Sequence, residues 1–155
     1  MFSVCVLLKS FSGQVFEAFS SDEKLAESCA LMIRREIMSN LSNSSKAWPP
    51  NLVDLAKAEN QPPGILSHFL SFLIGGKQNK RLSRRQDTIV RSLGQDICYN
   101  TTSGQWKTAK HVSLAISLHH TTGSAKLVTL LSRYGHCCSY SFVLEAEAAL
   151  CISAI

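Results

Sequence analysis

The sequence predicts a mainly α fold, with about six short helices in one compact or partly open domain that ends in a helical hairpin. Three observations carry this. Apolar residues recur at three- and four-residue spacing in one stretch after another. Most of these stretches open on a capping residue, and several close on Gly. No ladder of alternating strands is present, and no repeat of about 20 to 50 residues.

Residues 1–20 alternate only loosely and are assigned to an N-terminal extension. The helical domain covers residues 21–155. Its first helix starts at Ser20-Ser21-Asp22-Glu23, a cap followed by acids in the first turn. Leu25, Cys29, Met32, Ile33 and Ile37 share its apolar face, and turn formers from Asn40 to Ser45 end it. Trp48-Pro49-Pro50 is an extended, anchored connector, because a residue before proline is disfavoured in a helix. A short helix carries Leu52, Val53, Leu55 and Ala56.

Pro63 and Gly75-Gly76 bracket a strongly apolar helix over residues 65–74, whose side chains are assigned to the core. A helix from Ser83 to about Tyr99 opens on a Ser83–Gln86 capping box and turns Ile89, Val90, Leu93, Ile97 and Cys98 inward. Three closely spaced helices follow, capped by Thr108, Ser124 and Ser139 and hinged at Gly123 and Gly135. Val112, Leu114, Ala115, Ile116 and Leu118 cover more than one face of the first, so it is expected to be central. Leu127, Val128, Leu130, Leu131 and Tyr134 form the inner face of the second. Phe142, Val143, Ala146, Ala149, Leu150 and Ile152 form that of the third.

With 155 residues and 45% hydrophobic content the chain can bury one core, but a charged share of 17% is low for a free-standing domain. Part of the apolar surface is therefore expected to be covered by something else. The last residues, Leu150 to Ile155, carry no helix stop signal, and the chain is read as a fragment of a longer protein. No apolar run approaches the roughly 20 residues needed to span a bilayer, so no membrane contact is expected. The apolar start, Met1 to Leu8, lacks a basic leader region, and Lys9 interrupts it. The sequons at Asn40, Asn43 and Asn100 matter only in a secreted chain. The six cysteines show no CxxC spacing and sit among apolar residues, which favours free thiols in a reducing compartment.

The net charge of +5 is local. Residues 77–91 hold six basic side chains against Asp87 alone, whereas the flanking segments are near neutral. A concentration of this kind is read either as a solvated loop and polar first turn or as a contact with an anionic partner, and its place at a helix N-terminus, where cations are unfavourable, hints at the second.

Several motifs run in a distinctive order. Trp48-Pro49-Pro50 is followed by Pro62-Pro63 and the basic loop, then Ser92-Leu93-Gly94-Gln95-Asp96-Ile97-Cys98-Tyr99. Next come Lys107-Thr108-Ala109-Lys110-His111 and Arg133-Tyr134-Gly135-His136-Cys137-Cys138-Ser139-Tyr140. Over residues 25–155 this order resembles a multi-copy, uncharacterised protein family of animal genomes that is derived from mobile elements. The last two motifs are its most specific part. The resemblance implies an intracellular, element-encoded product, with this region lying inside a longer protein. It brings no catalytic residues with it.

Five candidate sites follow from the residues. Lys77, Lys80, Arg81, Arg84 and Arg85 form a candidate phosphate-contacting or nuclear-import cluster, with DNA or RNA as partner. No aromatic residue interleaves them, which argues against a stacking platform for single strands. The turn at Gly135 has the outline of a helix-turn-helix. However, the helix after it carries Glu145 and Glu147 and no Lys or Arg, so a structural hairpin is the stronger reading. Cys98, His119, His120, His136, Cys137 and Cys138 lack metal-ligand spacing, and a nucleophile pair such as Cys137 with His120 lacks an orienting group and an oxyanion site. Asp87, Asp96, Glu145 and Glu147 all fall on predicted helices, whereas a two-metal centre usually fixes its carboxylates on a rigid scaffold that often includes strands. Apolar residues 65–74 suit core packing better than a membrane surface.

The sequence thus points to a non-catalytic accessory segment that contacts nucleic acid, with no metal, cofactor or small-molecule substrate. Intracellular localisation goes with it, the nucleus being one option. The alternative is a helical protein-interaction module that packs against the remainder of a longer chain.

Overall fold

A computed structural model describes residues 22–43, 61–76 and 81–153. Among the described residues there are six helices and no strands, in agreement with the mainly α class. They are α1 (Asp22–Asn43), α2 (Gly64–Gly75), α3 (Arg84–Thr101), α4 (Ala109–Thr122), α5 (Ala125–Arg133) and α6 (Tyr140–Ser153). The Trp48-Pro49-Pro50 connector, the helix over residues 52–56, Lys77 and Lys80 lie outside the described residues.

The chain divides into two compact units between Arg35 and Glu36, within α1. In the first unit Leu25, Cys29 and Met32, expected on an inward face, are exposed. In the second, Ile37 is completely buried. The other five helices belong to this second unit.

α2 and α3 form a tight hairpin. Pro62 and Pro63 are buried at its start, and Leu66 and Leu70 bury the inner face of α2. Gly94 of α3 lies against them. A Cβ at this position would stand 2.6 Å from Cγ of Pro62, so only glycine permits the approach. This contact sets which side of α3 faces inward, and it corrects the predicted face. Val90, Gly94, Cys98 and Tyr99 are buried, whereas Ile89 and Leu93 are exposed. On α2 likewise, Phe69 and Leu73 are exposed rather than in the core.

α3 starts where predicted. Ser83 and Gln86 form the capping box, with the Gln86 N–H donating to Ser83 Oγ at 3.3 Å and the Ser83 N–H to Gln86 Oε1 at 3.0 Å. At its other end α3 runs two residues beyond the expected stop.

α4 is central, as expected, and packs on α3, α5 and α6. Val112 and Ala115 are buried there with Val128 of α5 and Phe142, Val143 and Ala146 of α6. On α5 only Val128 is fully inside. Leu130 is 50% exposed and Tyr134 69% exposed, against the predicted face. A nine-residue helix held at both ends by turns buries one narrow strip, and these two side chains lie off it. Ser124 and Ser139 cap α5 and α6 as predicted, through the N–H groups of Leu127 and Phe142. Thr108 stands at the N-cap of α4, but its side chain makes no capping bond.

The turn from α5 to α6 closes as a Schellman motif. The His136 N–H donates to the Leu131 carbonyl at 3.0 Å and the Gly135 N–H to the Ser132 carbonyl at 2.9 Å, with Gly135 at φ +74°. The Cys138 N–H then donates to the His111 carbonyl at 3.2 Å, which docks the turn on α4.

Candidate nucleic-acid interface

The candidate cluster sits at the N-terminal end of α3. The capping box satisfies the N–H groups of Ser83 and Gln86, and that of Asp87 bonds to the Ser83 carbonyl at 3.0 Å. The N–H groups of Arg84 and Arg85 fall in the first turn, where a helix offers no internal acceptor. The side chains of Arg81, Arg84 and Arg85 are exposed, and among the described residues none of them forms an ion pair. Arg91 behaves differently, since it is paired with Asp87 one turn earlier.

Cations at the positive end of a helix are mildly unfavourable. Three exposed arginines, Arg81, Arg84 and Arg85, nevertheless stand within the last loop residues and first turn of α3, while Lys77 and Lys80 lie outside the described residues.

The three motifs from Ser92, Lys107 and Arg133 onward converge elsewhere, in a polar network between α3, α4 and the Gly135 turn. Lys110 Nζ lies 2.6 and 2.8 Å from the Asp96 carboxylate oxygens and donates to Ser92 Oγ at 2.7 Å. The Lys110 N–H donates to Gln95 Oε1 at 2.9 Å. The next residue, His111, has a fully buried ring stacked on Tyr99 at 3.9 Å between centroids.

His111 Nε2 lies 3.1 Å from the Gly135 carbonyl, which can only accept, so Nε2 carries the proton. Nδ1 then accepts from the Thr108 hydroxyl at 2.7 Å. This explains the missing cap, because the Thr108 hydroxyl is directed to the imidazole rather than to the backbone. Burial lowers the pKa of His111, and the Gly135 carbonyl and Asp96 pull it back only in part.

Lys110, Asp96, Thr108 and His111 thus tie α3, α4 and the Gly135 turn together. Neither Asp96–Lys110 nor Thr108–His111 is legible as a site in the sequence. The first pair joins two helices, and Thr108 three positions before His111 has the form of an ordinary cap.

Cys137 and Cys138 are buried beside Val128 and Tyr99, with Cys137 Sγ 3.6 Å from the Val128 carbonyl. Burial raises the Cys137 thiol and pushes Cys98 and Cys138 up to about 12. Thiols held protonated in this way are poor nucleophiles and poor metal ligands. His119 Nδ1 lies 2.9 Å and His120 Nε2 3.4 Å from Glu147 Oε1, which joins α4 to α6. Among the described residues no group of three or more His, Cys, Asp or Glu is arranged to hold a metal ion. Asp87, Asp96 and Glu147 each face a separate basic partner instead of one another.

The exposed positions Ser141, Leu144, Glu145, Ala148 and Cys151 of α6 carry no cation. Among the described residues no helix is long and apolar enough to cross a membrane. Comparison of the chain with protein families, with curated proteins and with solved structures finds no match.

Proposed function

We propose that this chain is a non-catalytic helical accessory segment of a mobile-element-derived protein, and that it contacts nucleic acid through Lys77, Lys80, Arg81, Arg84 and Arg85. The observation that carries this reading is that the exposed guanidinium groups of Arg81, Arg84 and Arg85 at the start of α3 form no ion pair among the described residues. Arginine forks suit phosphate oxygens, and such contacts release counterions. Nuclear localisation belongs to the same reading, since the cluster also suits import.

Substituting Arg81, Arg84 and Arg85 by Gln is expected to weaken binding to a DNA duplex. It should also make the slope of log affinity against log salt shallower by about 2 to 3. Titrations at several salt concentrations, with duplex and single-stranded DNA and RNA, check this. If the unaltered chain binds none of them in a salt-dependent way, the reading fails.

The second reading is a protein-interaction module that packs against the rest of a longer chain. It is favoured by the exposed pairs Phe69 and Leu73 on α2 and Ile89 and Leu93 on α3, each one turn apart. Under this reading the isolated chain associates with rising concentration, and substitution of Leu73 and Ile89 by Asp abolishes the association. Light scattering that shows a monomer throughout would remove it.

A further inference from the structure

Ser83 stands in a sequence that does more than start a helix. Lys80-Arg81-Leu82-Ser83 places two basic residues three and two positions before a hydroxyl, and no other Ser or Thr in the sequence has Lys or Arg at both positions. Serine/threonine kinases with acidic substrate grooves read this kind of charge pattern through ion pairs. The structure makes the hydroxyl reachable. Ser83 is exposed, with extended backbone at φ −66° and ψ 158°, and Arg81 before it is exposed and non-helical. The Ser83 hydroxyl donates to Gln86 Oε1 at 3.0 Å, a bond at the helix end that opens with the cap, whereas Thr88, downstream of the same arginines, is bonded to the Arg84 carbonyl at 3.0 Å inside α3 and lacks a basic residue two positions before it.

We propose that Ser83 is a phosphorylation site for a basophilic serine/threonine kinase, and that the modification switches off the anion-binding surface around it. In the transfer, a bond forms between Ser83 Oγ and the γ-phosphorus of MgATP. The bond from that phosphorus to the β,γ-bridging oxygen breaks, ADP leaves, and the hydroxyl proton passes to the kinase's base. The kinase needs the chain extended through the acceptor, so the first turn of α3 must open. Arg84 and Arg85 at the positive end of the helix favour that opening.

Once attached, the phosphate is held where it was made. The Gln86 N–H already donates to Ser83 Oγ, and Arg81, Arg84 and Arg85, its neighbours in the sequence, supply guanidinium groups that suit a phosphate. Phosphoserine carries about −1.5 to −2 at neutral pH. That offsets a large part of the excess charge in residues 77–91, and it occupies the donors that an external phosphate would use.

The modification stands on the sequence and exposure of Ser83, whereas its consequence rests on the nucleic-acid reading above. The experiment separates the two. The full chain is incubated with MgATP and the catalytic domain of a basophilic kinase, and phosphate is located by peptide mass mapping. Binding to a labelled DNA duplex is then measured before and after. Ser83→Asn keeps a capping acceptor and takes no phosphate, so it controls for loss of the cap. Ser83→Asp keeps the cap and adds a single negative charge.

The expected result is one phosphate on Ser83 and none on Ser83→Asn. Duplex affinity at 0.1 M salt should fall about ten- to a hundredfold on modification, with Ser83→Asp in between. Phosphate on other residues with Ser83 unmodified overturns the site. A phosphorylated chain that binds the duplex as tightly as before overturns the switch. An unmodified chain that does not bind at all overturns the switch together with the nucleic-acid reading, while the mass map still decides whether Ser83 is modified.

Discussion

Replacing His111 with leucine is expected to lower folding stability by about 3 kcal/mol, measured by denaturant unfolding. The volume is nearly conserved, so packing contributes little to the loss. What is lost is the pair of hydrogen bonds that let a polar ring lie fully buried. Without the imidazole the Thr108 hydroxyl has no acceptor at Nδ1, and the Gly135 carbonyl loses its 3.1 Å donor and keeps only the longer 3.4 Å contact with Asn100 Nδ2. Each orphaned group costs about 1 to 3 kcal/mol when buried. The stacked contact with Tyr99 goes as well. An unchanged unfolding midpoint would show that the network is dispensable.

The same residue makes stability depend on pH. Burial is the main cause of its lowered pKa; Lys110 and His136 act in the same direction, and the Gly135 carbonyl and Asp96 oppose it. In the unfolded chain His111 takes up a proton near pH 6.5, and in the folded chain only at lower pH. Its contribution is therefore complete above pH 6.5 and declines as pH falls toward the folded value, by up to about 1.4 kcal/mol per unit. The stability difference between the unaltered chain and His111→Gln should narrow below pH 6.5 and stay constant above it. A difference that does not change with pH would contradict the neutral, buried imidazole.

How much of the structure is readable in the sequence follows from the range of each interaction. The Ser83–Gln86 box, the Ser124 and Ser139 caps and the turn glycines are set by residues within a few positions of one another, and the sequence shows them. The basic cluster is likewise local, because it is a concentration of charge along the chain. The inward faces are harder. Apolar spacing places Ile89 and Leu93 inside, but contact between Gly94 and Pro62 turns the neighbouring strip of α3 toward α2. A glycine carries no hydropathy signal, so periodicity does not rank it above leucine. The network around His111 is invisible for a related reason. Asp96 and Lys110 are fourteen residues apart on different helices, and nothing in either neighbourhood marks them as partners.

Gly135→Ala is expected to cost about 3 kcal/mol, and two separable causes produce it. The backbone at φ +74° lies in the left-handed region, where a Cβ alone costs roughly 1 to 2 kcal/mol. The new methyl would also overlap the Asn100 side chain, standing 3.0 Å from its Cγ. Asn100 would have to rotate away, giving up its 2.9 Å bond to the Asp96 carbonyl and its contact with Gly135. Removing that obstacle in a Gly135→Ala/Asn100→Ala double variant should therefore recover about 1 kcal/mol and leave the backbone cost in place. Thermal or denaturant unfolding of the single and double variants gives the coupling directly. If the double variant is no more stable than Gly135→Ala alone, the side-chain overlap is not the cause. The substitution also reaches His111, because the carbonyl that receives Nε2–H belongs to Gly135. A shifted turn weakens that bond, so the pH dependence assigned to His111 should change in Gly135→Ala, although the two residues are twenty-four positions apart. The glycine in the turn and the histidine beneath it thus act on stability as one unit, and the Schellman geometry serves to aim a carbonyl into the core as much as to end α5.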